Sequence, residues 1–372
     1  MKNLLISILL SVFFLTSYCQ TWTSASGIQD KIVRSLAVYN ADTLLAGVDN
    51  DGIYISYDQG ENWTQFSLQG ESIFSLLCID RTVIAGSEDN NFFRLSNIQT
   101  SWEHIPVSDL TVYNMKLHKD TIFACTWGYS GSNAIYSSAD TGKTWNQWGS
   151  TLTGAYLDID FSSNGRTFVA TSQGVHYSDY QSDWTKTTGI GGTTRSVQFL
   201  GNDSVLYGTD DGNSISVDNG ISAIQTNYSE PGIIFYLDNA FYLLWSSLKY
   251  TNNINTPWTS LNLNKSVHSL IKIENKLLAG TAEGIYYYEN PTNINSISNP
   301  SHCNIYPNPV QDFLYIDLPN SETFNFILYN STGQLITTGN HSPINLQGYM
   351  PGLYFYTIKS GNNVYNGRLL LN

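Results

Sequence analysis

Short apolar runs, separated by polar turns that carry glycine, set the rhythm of the first 290 residues. The runs Leu44-Leu45-Ala46-Gly47, Val83-Ile84-Ala85-Gly86, Ile122-Phe123-Ala124-Cys125 and Phe168-Val169-Ala170-Thr171 share one form, and Val205-Leu206-Tyr207-Gly208, Tyr242-Leu243-Leu244-Trp245 and Leu277-Leu278-Ala279-Gly280 repeat it. Runs this short, rich in branched and aromatic residues and bounded by turn residues, read as strands. Each follows another run, as at 32–38 and 73–79, and leads through a turn such as Asp49-Asn50-Asp51-Gly52 to a third run such as Ile53-Tyr54-Ile55. A tryptophan then opens a fourth. Glycine in these turns takes the positive φ that tight hairpins need.

The third positions of the seven runs are residues 46, 85, 124, 170, 207, 244 and 279. A period of about 40 residues with four strands per repeat predicts propeller blades. The expected fold is therefore all-β, a seven-bladed β-propeller over residues 20–290. The tryptophans are Trp63, Trp102, Trp145, Trp184 and Trp258, with Ala223 in the place of one. The seventh repeat ends without a tryptophan, and Thr21-Trp22-Thr23 resembles Asn62-Trp63-Thr64. The N-terminal strand is thus expected to complete the last blade and remove two sheet edges.

The turn before the tryptophan carries a motif. Ser56, Asp58, Gly60 and Trp63 fit S-x-D-x-G-x-x-W in full, as do Ser138, Asp140, Gly142 and Trp145, while Ser216, Asp218 and Gly220 lack the tryptophan. This resembles the Asp-box, or bacterial neuraminidase repeat, of sialidase-like propellers, a set that includes glycoside hydrolases, receptors and assembly factors. The motif explains itself structurally, since aspartate accepts hydrogen bonds from its own turn and glycine permits the reversal. One carboxylate per turn is too few oxygens for calcium, and no metal or cofactor is expected.

Composition shifts near Asn290. A polar, proline-bounded linker is expected at 291–302, followed by a small C-terminal β-sandwich at 303–372. Tyr306-Pro307-Asn308-Pro309, then Tyr329-Asn330-Ser331-Thr332-Gly333, then Pro351-Gly352-Leu353-Tyr354 resemble in order the type A sorting domain of type IX secretion. The resemblance implies passage across the outer membrane of a Bacteroidetes-type cell, with the secretion machinery and its sortase as partners. It also implies removal of this domain and then surface attachment or release.

The chain starts with Lys2 and an apolar run from Leu4 to Leu15, then Ser17 and Cys19 before Gln20. That is the build of a signal peptide at 1–19, too short to span a bilayer comfortably. No later span follows, so the mature chain is expected to have no transmembrane segment. The chain carries 30 acidic and 17 basic residues, a net charge of −13, which argues against nucleic acid as partner. After cleavage Cys78, Cys125 and Cys303 remain, an odd set with neither disulfide nor zinc spacing. Nothing in the sequence calls for more than a monomer.

The candidate site is one mouth of the propeller channel. Opening positions of the first strands are Arg34, Phe74, Tyr113, Tyr156, Arg195, Ile234 and His268. A mixture of arginine, histidine and aromatic rings suits a sugar or peptide ligand. The turn at 126–133 adds Trp127 and Tyr129. Asp49, Asp51, Glu88, Asp89, Asp210, Asp211 and Glu283 are expected on the same rim, as turn residues or as a cation-attracting ring. Arg34 and Arg195 are too few for the arginine triad of a sialidase. Asp158 and Asp160, on one face of a first strand, keep an extracellular glycoside hydrolase as the alternative, with a solvated channel lining as the simpler reading. No catalytic residue is assigned. Thr43, Thr121 and Ser204 each follow an aspartate and resemble acceptors of Bacteroidetes O-glycosylation. The expected function is recognition of an extracellular glycan or protein ligand by an exported propeller.

Overall fold

The structure is a computed structural model that describes residues 21–372 apart from 89–90, 108–109, 129–132, 180–182, 239, 290–303, 307–309, 319–322, 331–334, 361–362 and 372. The expected signal peptide, the linker, Asp89, Tyr129, Cys303, Pro307, Asn308, Pro309 and Gly333 lie outside the described residues. The chain divides into two compact units, Met1–Pro291 and Thr292–Asn372.

Among the described residues of the first unit there are seven four-stranded antiparallel sheets. Their first strands are Val33–Val38, Ile73–Ile79, Thr111–His118, Tyr156–Phe161, Thr194–Gly201, Ile233–Leu237 and Val267–Ile273. Each first strand hairpins into a second strand that is buried almost throughout, as expected where both faces of a sheet are covered. The first six sheets each take four consecutive strands. The seventh takes its outermost strand, Thr23–Ser24, from the other end of the unit, paired through Thr23↔Tyr287 and Ser24↔Tyr286. The Trp22 indole packs 5.8 Å from the Tyr288 ring and donates to the Leu261 carbonyl of the sixth sheet.

The S-x-D-x-G turns have one geometry in the first, third and fifth sheets. The serine hydroxyl donates to the aspartate and accepts from the glycine N–H, at 2.8 and 2.9 Å for Ser56, with the same pair at Ser138 and Ser216. Asp58 accepts the N–H groups of Glu61 and Asn62, Asp140 that of Thr144, and Asp218 that of Ser222. Burial raises these carboxyl pKa values, but the hydrogen bonds outweigh it and hold Asp140 and Asp218 at about 2. Gly142 has φ +78 and packs so closely on Ile84 of the second sheet that a Cβ would lie 2.8 Å from its Cδ1. Glycine is thus needed both for the turn and for the approach of the neighbouring sheet.

In the fifth sheet Ala223 replaces the buried tryptophan. Tyr207 compensates: it stands on the second strand, fully buried, in the same core cluster as Ala223. In the first and third sheets Trp63 and Trp145 share their clusters with Ala46 and Ala124 instead. The bulk has moved from one strand to its neighbour. Cys78 and Cys125 are both free thiols, in the second and third sheets.

The second unit has a three-stranded and a four-stranded sheet. Both contribute to one core of Leu314, Phe326, Leu328, Ile344, Ile358 and Leu369 with their neighbours. Two sheets around one core make a sandwich.

Candidate functional site

Six of the seven first strands carry a bulge near their start. Val33 pairs with Val48 and Ser35 with Gly47, which leaves Arg34 as the extra residue. Phe74, Tyr113, Leu157, Arg195 and His268 occupy the same place in their strands. A bulge frees one residue from the ladder and re-aims its side chain. All six, with Ile233 of the bulge-free sixth sheet, line one cavity of about 640 Å³. Residues from every first strand reach this cavity, so it is the common axis of the sheets.

Arg34, Tyr113, Arg195 and His268 therefore stand where the sequence reading puts them. Tyr156 does not, and Ile234 borders the cavity beside Ile233 but is almost wholly buried. Tyr156 is the paired residue before the bulge, 1% exposed, and Leu157 takes the channel position. The motif of the fourth sheet is offset by one residue, since Ala170 rather than Thr171 faces the post-bulge residue Asp158. Ile234 is buried in the core of the sixth sheet, whose first strand lacks the extra residue. A one-residue slip exchanges the faces of a strand.

Ring contacts join the bulge residues across the sheets. The Arg34 guanidinium lies 5.1 Å over Phe74, Phe74 is edge-on to Tyr113 at 5.5 Å, and Tyr113 is edge-on to Trp127 at 6.5 Å. On another side Arg195 lies 5.0 Å over Trp245, which is 38% exposed. Trp245 is absent from the sequence expectation. It closes the run Tyr242-Leu243-Leu244-Trp245, one residue past the second strand, where the other runs close on a small residue or threonine, and that departure is the signal that marks it.

The rim is not a free acidic ring. Arg34 Nη2 donates to Asp49 at 2.6 Å, Arg195 grips Asp210 through Nε and Nη2, Lys31 pairs with Asp51 at 2.7 Å, and Lys265 pairs with Glu283. Asp49, Asp51, Asp210 and Glu283 thus serve as counter-ions, which favours the reading of turn residues over that of a cation-attracting ring. Burial works against ionisation of Asp49, but Arg34 and Ser72 hold its carboxyl below the ordinary range. Burial, and then the Arg34 charge, lower the His268 pKa and favour a neutral imidazole at pH 7.

Asp158 and Asp160 face the same way, as alternation predicts; Asp158 lines the cavity, Asp160 is buried, and both are hydrogen-bonded. Asp158 accepts from the Asn114 amide and the Val197 N–H, and Asp160 from the Phe199 N–H and Lys116. Both carboxylates tie the fourth sheet to its neighbours. Burial pushes the Asp158 carboxyl up to about 6 despite the nearby Lys116. Thr43 is buried, while Thr121 and Ser204 are half-buried.

Residues 304–372 match the profile of the secretion system C-terminal sorting domain. Among solved structures the chain is similar to YCF48 bound to D1 peptide, with 12% identity and a TM-score of 0.60 over 76% of this chain and 98% of that one. It is similar to the extracellular domain of the putative hybrid two component system BT3049 from B. thetaiotaomicron, with 14% identity and a TM-score of 0.59 over 95% of this chain and 58% of that one. It is also similar to the WD40 β-propeller domain of Doa1, with 10% identity and a TM-score of 0.58 over 72% and 96%. No curated protein matches the chain. The chain is a β-propeller with a secretion sorting domain at its C-terminus. The sorting domain marks it for type IX export to the cell surface or the extracellular space. No helix among the described residues is long and apolar enough to cross a membrane.

Within the sorting domain, Tyr306 ends the strand Asn304–Tyr306 and stacks on Tyr315 at 5.7 Å. Gly352 opens the strand Gly352–Ser360, where Tyr354 is buried and donates to the Met350 carbonyl. The sorting residues are thus on the sandwich strands, apart from those outside the described residues.

Proposed function

We propose that the mature chain is a surface-displayed or released seven-bladed propeller of the Asp-box type, which recognises an extracellular glycan or protein ligand at the mouth of its channel. The proposed domains are a signal peptide at 1–19, the propeller at 20–290, a linker at 291–302 and the sorting domain at 303–372. One observation carries the binding reading: six sheets use the same backbone device, a bulge, to aim a side chain into one shared cavity. Bulges recur where a side chain must be re-aimed beside a functional site. Arg34, Tyr113, Trp127, Arg195 and His268 are the proposed contacts, joined by Phe74 and Trp245.

The hydrogen bonds of Asp158 and Asp160 support a binding protein over a glycoside hydrolase. A nucleophile and an acid/base need free carboxylates, and here both are engaged in holding strands together. The similar YCF48 structure holds a D1 peptide, which supports keeping a polypeptide segment among the ligands to be tested. The test is an array of glycans and peptides probed with the wild-type chain and with Trp127→Ala. The variant should lose most of the signal; an undiminished signal removes the Trp127 edge of the mouth from the site. Separately, a chain without residues 303–372 should accumulate in the periplasm.

A further inference from the structure

The mouth holds the same small assembly twice. In the first sheet the bulge residue Arg34 is fixed in its plane by Asp49, the residue that follows the second strand, and lies on Phe74 of the next sheet. In the fifth sheet the bulge residue Arg195 is fixed by Asp210, again the residue that follows the second strand, and lies on Trp245 of the next sheet. An aspartate beside it and an aromatic ring below hold each guanidinium partly exposed at the mouth. Among the described residues Arg195 Nη1 has no hydrogen-bond partner.

Charge decides what such a surface accepts. Each guanidinium already has its counter-ion, so an anionic ligand would have to displace an aspartate at 2.6 Å from Arg34 or repel it. A cationic ligand faces the arginines. A neutral hydroxyl has neither problem, because it donates to a carboxylate lone pair and accepts from a guanidinium N–H while the ion pair stays intact. The half-buried Phe74 and the exposed Trp245 beside these pairs offer apolar ring surface to the C–H side of a sugar ring.

An extended peptide finds less. Strand addition needs free backbone groups on an edge. At three seams around the channel such groups are taken: Val197 N–H by Asp158, Phe199 N–H by Asp160, Ile234 N–H by Ser196 and the Val112 carbonyl by Ser75.

We infer that the ligand is a neutral oligosaccharide, held with sugar rings on Phe74 and Trp245 and hydroxyls on the Arg34–Asp49 and Arg195–Asp210 pairs. This inference rests on the channel mouth being the binding site, and its test separates the two. Neutral β-glucan, xylan and mannan hexaoses are titrated calorimetrically into the mature chain, beside sialyllactose, hexagalacturonate and an arrayed peptide library. At least one neutral hexaose should bind, with an affinity that changes less than about twofold between ~50 mM and ~500 mM salt, because no charge is exchanged. Trp245→Ala and Phe74→Ala, each checked for an unchanged melting temperature, should each weaken it about tenfold. Asp210→Asn should raise affinity for the acidic sugars relative to the neutral ones, by exposing an uncompensated guanidinium. A preference of the wild type for acidic sugars or peptides, steep salt dependence, or no binding of any neutral hexaose overturns the sugar class. If such a ligand is nevertheless lost in Trp245→Ala, the mouth survives as the site. Sugar binding that ignores both aromatic substitutions overturns the mouth itself.

Discussion

Two kinds of seam hold the sheets of the propeller to each other, and they divide the work differently. Between the seventh and first, second and third, and fourth and fifth sheets, a buried or half-buried cation reaches across to an S-x-D-x-G turn. Lys276 pairs with Glu61 at 2.7 Å, Arg94 donates to the Thr141 carbonyl at 2.9 Å, and Arg166 to the Asn219 carbonyl at 2.8 Å. Each is anchored on its own sheet by an acid: Glu289, Glu103 and Asp179 respectively. At two of these seams backbone bonds join in, through Ser26 to the Glu61–Trp63 segment and Thr188 to the Ile221–Ala223 segment. At the other four seams no such cation reaches a turn, and an indole N–H crosses in its place: Trp102 to Ser67, Trp184 to Ser150, Trp258 to Tyr228 and Trp22 to Leu261. The difference teaches that the S-x-D-x-G turn is a receptor for its neighbour, not merely a stable reversal. With an odd number of sheets the alternation must fail once. It fails around the sixth sheet, which has tryptophan seams on both sides, lacks the bulge and exposes Trp245.

The sharpest way to break this comparison is to remove residues 20–26. That deletes the Trp22 crossing, the strand Thr23–Ser24 and the Ser26 bonds to the first turn, so one seam of each kind is lost where the ring ends meet. The melting temperature should fall by about 10 °C or more. An unchanged value in calorimetry would show that the N-terminal strand does not close the ring.

A smaller effect tests the two seams against each other. Arg94→Ala leaves the Thr141 carbonyl and Glu103 without their cation and should cost about 1–3 kcal/mol. Trp102→Phe keeps most of the packing, loses one hydrogen bond to Ser67 and should cost about 1 kcal/mol or less. Chemical denaturation of both variants decides; equal losses would mean that the seams are of one kind.

How much of this could be seen in the chain is itself uneven. The repeat, the N-terminal tryptophan and the sorting motifs were legible because each is a local string that recurs or occurs in order. The channel residues were legible only to within one position, since a bulge shifts the register and the string around Phe168 carries no mark of where the bulge falls. Arg34 and Arg195 could be named, while Leu157 and Trp245 could not. The clamping cations were not legible at all. Lys276, Arg94 and Arg166 sit at different points of their repeats, on second, third and second strands or beside them, and converge only when neighbouring sheets pack. The exchange of bulk between Tyr207 and Ala223 was hidden for the same reason, because the two residues are 16 apart in sequence and meet only in the folded sheet.

The smallest effect separates two aspartates that differ in surroundings. Asp140 sits on a clamped turn with its pKa lowered to about 2, where burial is outweighed by the Thr144 and Ser138 hydrogen bonds. A lowered folded pKa stabilises above the unfolded value of about 3.9 and loses that contribution as pH falls through about 2. Asp158, in the channel wall, is raised to about 6 by burial. Between about 3.9 and 6 the folded state holds more protons than the unfolded one, so stability falls as pH rises. The wild type should therefore lose stability on both sides of about pH 4 through different residues. In Asp140→Asn the acid limb should flatten. In Asp158→Asn, where the amide oxygen still accepts the Val197 N–H, the decline between pH 4 and 6 should flatten by about 2–5 °C in melting temperature. Melting curves of the three proteins at about pH 2.5, 4, 6 and 8, values that bracket the ordinary carboxylate range, give the answer. A decline above pH 4 that persists in Asp158→Asn would mean that the carboxylate bridging Asn114 and Val197 stays ionised throughout, and that the channel wall is as well solvated as the turns outside it.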